Sequence, residues 1–103
     1  MKKIIPILLL TVLFLSCKKS NVSDYPEFKG FWVGLKDNSR HEINVKNNGK
    51  ATYEIIKSNS EVWHKGNLII KNEELKIGFK KVKINQYPSN NVMILDNIDF
   101  YKN

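Results

Sequence analysis

The chain has 103 residues, with 17 Lys+Arg against 10 Asp+Glu, for a formal charge of +7. Apolar residues make up 42% and charged residues 26%, which gives one small globular domain and excludes a doubly wound nucleotide-binding enzyme or a (β/α)₈ barrel. The single Cys excludes an intramolecular disulfide framework and a Cys-based zinc site.

Met1-Lys2-Lys3 is a short basic start, followed by an apolar run from Ile4 to Leu15 broken only by Pro6 and Thr11. The run is shorter than the roughly 20 residues a spanning helix needs and has the anatomy of a secretory signal peptide. It ends in Phe14-Leu15-Ser16-Cys17. A small residue directly before Cys at this place resembles the lipobox of bacterial lipoproteins, with Phe14 where Leu is usual. The resemblance implies that residues 1–16 are cleaved as a signal peptide. It also implies that Cys17 carries a diacylglyceryl group and that its new amino end is acylated, for example with palmitate. Two or more chains hold a protein durably, at roughly 0.8 kcal/mol per buried CH₂. Cleavage removes Lys2 and Lys3 and no acid, leaving a side-chain charge of +5 (15 minus 10). Lys18 rather than Asp follows the Cys, and residues 18–22 hold no acidic cluster. By family analogy both point to a periplasm-facing anchor in the outer membrane of a Bacteroidota-type envelope.

Lys18 to Glu27 is polar, aperiodic and contains Pro26. With Cys17 it is expected to form a flexible tether, residues 17–27, ahead of a domain over 28–103. That domain reads as strands throughout, since no window sustains a 3.6-residue apolar period. Three turns fix its registers, because a one-residue slip would turn every side chain to the wrong face. At Asn47-Asn48-Gly49 only a three-residue loop, with Gly49 at positive φ, pairs Val45 with Ala51, Ile43 with Tyr53 and His41 with Ile55. It also sets Glu42 against Glu54. At Asn72-Glu73 a two-residue loop pairs Ile70 with Leu75 and Leu68 with Ile77. Continued, that register lays Phe79 over Gly66, within one long strand over 61–71 bent at Gly66. At Asp96-Asn97 a two-residue loop pairs Leu95 with Ile98 and Met93 with Phe100. The apolar phase changes from odd (Leu75, Ile77, Phe79) to even (Val82, Ile84), so a bulge or corner is expected at Lys80-Lys81. The expected fold is all-β: a small antiparallel meander of seven or eight strands, closing as a barrel or sandwich.

Gly30-Phe31-Trp32 resembles the G-x-W motif that opens lipocalin-type barrels, which implies that Trp32 packs across a barrel floor. Seventy-six residues are about half a lipocalin, so the interior is expected to be filled by side chains rather than by a lipid. His41 and His64 fall on the inner face without the further ligands that zinc requires. No nucleophile motif, phosphate loop or paired-carboxylate constellation is present, so no catalytic residue, cofactor or metal is assigned. The outward candidates are Trp63, of a type enriched at interaction hot spots, and Lys76, Lys80 and Lys83, read as a basic stripe facing an acidic protein or an anionic envelope component. Nucleic acid, the usual partner of a basic domain, does not suit an exported chain. The leading expectation is a lipid-anchored, non-catalytic binding module of the cell envelope. The alternatives are a small-ligand carrier and an inhibitor or immunity protein against an envelope-active enzyme.

Overall fold

The computed structural model describes residues 20–103; the expected signal peptide, residues 1–16, and Cys17 lie outside the described residues. Eight strands follow one another: β1 (Gly30–Lys36), β2 (Ser39–Val45), β3 (Lys50–Lys57), β4 (Ser60–Lys71), β5 (Glu74–Ile77), β6 (Lys80–Ser89), β7 (Val92–Leu95) and β8 (Ile98–Lys102). Each pairs antiparallel with the next, and β8 returns to β1, so the meander is a closed barrel rather than a sandwich. The strands alternate in direction, so the connections gather at two ends. The turns at 37–38, 58–59, 78–79 and 96–97 form the mouth. Those at 47–49, 72–73 and 90–91 form the floor.

The three registers argued from sequence are present. Val45 pairs with Ala51, Ile43 with Tyr53 and His41 with Ile55, around a loop in which Gly49 has φ 88°. Asn72 and Glu73 both take positive φ and set Ile70 against Leu75. Asp96 and Asn97 do the same for Leu95 and Ile98. Two-residue turns with both φ values positive match the right-handed twist of the strands they join.

The β5–β6 corner differs from expectation. Gly78, at φ 62°, opens a two-residue turn with Phe79, and Ile77 pairs with Lys80. Phe79 is 99% exposed at its tip and covers nothing. Gly66 meets the bare backbone of Gly78 instead: a Cβ on Gly66 would lie 2.7 Å from Gly78 N. The change of phase therefore falls at Gly78-Phe79 and not at Lys80-Lys81, while the register shifts lie further along β6, between Ile84 and Ser89. Residue 66 is also where β4 changes partner. It pairs with β3 over 60–67 and with β5 over 68–71.

Inward side chains fill the barrel. Trp32, Tyr53, Phe28, Phe100, Ile43, Leu68, Leu75 and Ile77 are all essentially inaccessible. The Trp32 indole N–H donates to Phe28 O at 2.9 Å, so the plug implied by the G-x-W resemblance is tied to the chain that precedes it. That preceding chain is not the free tether expected. Ser20 to Phe28 makes two 3₁₀ turns, Val22–Asp24 and Pro26–Phe28, and closes the floor. Asn21 acts like a strand residue: its Nδ2 donates to Ile70 O at 2.6 Å and its Oδ1 accepts from Ile70 N at 2.9 Å. Ser20 Oγ donates to Leu68 O at 2.8 Å. Val22 and Phe28 are buried, and Tyr25, Phe28 and Tyr87 form an aromatic cluster with centroids 6.0–6.3 Å apart.

Gly49 binds this segment to the barrel, since a Cβ there would lie 2.6 Å from Ser20 Cβ and 3.0 Å from Val22 Cγ1. Gly49→Ala is therefore expected to cost about 1–3 kcal/mol, from strain at positive φ together with displacement of Ser20. Urea unfolding reads the loss. Amide exchange should show it concentrated at residues 20–28 and Leu68 to Ile70. Gly49→Asn, which relieves only the φ strain, should recover little.

Candidate functional site: the mouth and the outer wall

At the mouth, His41 is buried, with Nδ1 2.8 Å from Tyr53 Oη and Nε2 3.1 Å from Ser39 Oγ. The His41, Tyr53 and Phe100 rings meet edge-on at 5.8–6.3 Å. Burial, then the positive charges of Lys80, Lys36 and Lys57, hold the His41 pKa below the ordinary histidine value. Burial, followed by Asp96, raises that of Tyr53. A neutral imidazole satisfied at both nitrogens is a packed polar core group. Among the described residues no group of three or more His, Cys, Asp or Glu is placed to hold a metal ion.

The four outward candidates do not form one surface. Trp63 is 60% exposed on the outer wall of β4, as expected. Lys76 and Lys83 lie on the outer wall of β5 and β6, opposite Lys81 and Glu74. Lys80 is not outward. It pairs with Ile77, a fully buried inner residue, and its Nζ sits 5.6 Å from the Tyr53 ring centroid. The parity error follows from the Gly78-Phe79 turn, which puts even residues of β6 inside.

A different cluster surrounds Trp63. On the outer wall Val33, Glu42, Glu54 and Trp63 are successive cross-strand neighbours on β1 to β4. The next row towards the mouth is Leu35, Arg40, Ile56 and Glu61. A groove of about 290 Å³ runs between Phe31 and Trp63 over Glu42 and Glu54. Leu35 is 72% exposed. With Val62 and Phe79, these residues concentrate exposed apolar surface on the mouth half of the molecule. The acids between them are crowded. Arg40 Nε pairs with Glu42, and Glu54 hydrogen-bonds Glu61. That bond, with some desolvation and the charges of Glu61 and Glu42, raises the Glu54 pKa to about 7. Sequence reasoning found Trp63 and the Glu42–Glu54 pairing but not Phe31, Leu35 or Glu61, whose meeting depends on the stagger of four strands.

Fold and wall together define a small, filled, antiparallel eight-stranded barrel with an aromatic-acidic outer surface. No family model, curated protein or solved structure matches the chain.

The raised Glu54 pKa has a pH signature. A carboxyl whose folded pKa lies above its unfolded value gives stability that is complete below the unfolded pKa of 4.5 and is lost as pH rises through about 7. Glu54→Gln keeps the hydrogen bond and removes the charge. The variant is expected to match the parent in Tm near pH 4 and to exceed it at pH 8, and a set of thermal melts across that range checks the crossover.

Proposed function

We propose that this protein is a lipid-anchored component of the bacterial cell envelope whose barrel is a non-catalytic binding module. It is held through acylated Cys17 and faces the periplasm from the outer membrane. The observation that carries the binding reading is the outer wall of β1 to β4. There exposed Leu35 and Trp63 flank Glu42, Glu54 and Glu61 on a rigid sheet. Aromatic anchors with a polar surround are the usual makings of a protein-binding hot spot. The acids favour a partner that is basic where it meets Trp63, in contrast to the acidic partner that the lysines suggest from sequence. The alternative of small-ligand carriage has less support, because aromatic and aliphatic side chains occupy the barrel interior and the grooves lie on the outer surface.

Two measurements test the reading. Metabolic labelling with palmitate should mark the parent and not Cys17→Ser; an unlabelled parent removes the anchor. Leu35→Ser with Trp63→Ser should change stability by no more than about 0.5 kcal/mol per site and reduce cross-linking to the membrane partner at least about tenfold. Lys76→Glu with Lys83→Glu should leave cross-linking unchanged. The opposite pattern would place the contact on the β5–β6 wall.

A further inference from the structure

We propose that the floor end of the same outer wall is a membrane-contact site that takes the phosphate headgroup of an anionic phospholipid. The proposal rests on the lipid-anchor reading and adds an orientation to it. A groove of about 420 Å³ lies across β2, β3 and β4 next to the floor. Three lysines line it, Lys46, Lys50 and Lys65, and none of its lining residues carries a carboxylate. Lys46 and Lys50 bracket the loop that holds Gly49 and are tied by a backbone bond from Lys46 N to Lys50 O at 2.9 Å. Lys65 stands opposite Thr52, just before β4 passes from β3 to β5.

The chain end fixes what meets this groove. Ser20 packs on Gly49 and bonds Leu68, so the N-terminal segment leaves the barrel beside Lys46 and Lys50. Cys17 is three residues upstream, a reach of at most about 11 Å. The headgroup layer on each side of a bilayer is itself only about 5–7 Å thick. A diacylated Cys17 therefore holds the floor against the headgroups, whereas a tether running to Glu27 would have let the domain float. Each lysine near an anionic surface adds about a fivefold preference, less as salt screens it. Glu42 and Glu54 stand in the next row towards the mouth, beside Trp63, and Glu61 one row beyond them. The charge gradient along one face thus turns basic towards the lipid and acidic, with Trp63, away from it.

The test uses the full chain, processed in a bacterial host and reconstituted into phosphatidylcholine vesicles with or without phosphatidylglycerol. A Trp63→Phe background leaves Trp32 at the floor as the single tryptophan donor to a headgroup-labelled dansyl lipid. Transfer should rise on the order of twofold with phosphatidylglycerol. The triple variant Lys46→Gln, Lys50→Gln, Lys65→Gln should stay in the vesicle pellet, keep its thermal melt and lose that rise, while Lys76→Gln with Lys83→Gln keeps it. A labelled, pelleted protein whose triple variant retains the rise, or whose parent shows none, overturns the headgroup site and leaves the anchor standing. Suppression of the rise by inorganic phosphate at matched ionic strength assigns the groove to a soluble anion and also overturns it. A parent that takes no palmitate and stays in the supernatant fails at the anchor, and the orientation falls with it.

Discussion

Every strand of the closed barrel has two neighbours, but β4 takes them one after the other along its length. Its first part pairs with β3 and its last four residues pair with β5. The exchange needs the β5–β6 turn to come down on the β4 backbone at Gly66, where Gly78 N and Cα would lie 2.7 and 2.8 Å from any Cβ. No side chain fits between two backbones at that distance, so both positions are glycine. From this one approach follow the shortness of β5, the inward turn of Lys80 and the freedom of the β3–β4 hairpin to carry Trp63 out along the wall.

A circumference this small leaves a narrow interior, and the two ends are closed by different chemistry. At the floor, Trp32 fills the width and its indole N–H is satisfied by Phe28 O. The 3₁₀ turns then cover it, with Val22 and Phe28 as apolar contacts and Asn21 supplying strand-like bonds to Ile70. Lys102 lies over the Trp32 ring at 5.4 Å, so the last strand adds a charge contact to the same plug. At the mouth, Tyr53 and His41 take the place of an apolar lid. Their mutual hydrogen bond avoids the penalty of roughly 1–3 kcal/mol that a buried, unpaired polar group would carry.

The hairpins were legible in the sequence wherever Asn, Asp or Gly marked the turn and the apolar alternation left only one loop length consistent. That covers the turns at 47–49, 72–73 and 96–97; Gly49 has the expected positive φ, and Asn72, Glu73, Asp96 and Asn97 take positive φ as well. The Gly78-Phe79 turn was misread because Phe79 continued the apolar alternation of Leu75 and Ile77. An aromatic residue at an exposed turn tip looks like core to a pattern of period two, and the inward placement of Lys80 was lost with it. The docking of Ser20 to Phe28 was hidden for the opposite reason. Polar composition signals a linker, but the Asn21 amide carries a donor and an acceptor spaced like those of a peptide and completes the edge of β4 at Ile70. Trp63 was correctly read as outward. Its neighbours on β1 and β2 come from strands whose stagger no local pattern encodes.

The seam between β1 and β8 rests on three register pairs: Trp32 with Lys102, Val33 with Tyr101 and Gly34 with Phe100. Every other strand pair joins chain neighbours, so the hairpins can form from local contacts, at speeds typical of short loops. The seam alone joins segments about seventy residues apart, and its loop-closure entropy is met last. Until β8 is in place, the sheet is an open ribbon with two unpaired edges, each a template for another chain. A barrel closed by the last of its eight strands in chain order is thus most exposed to aggregation in the interval before that strand is available. Truncation within Ile98–Lys102 would make that interval permanent.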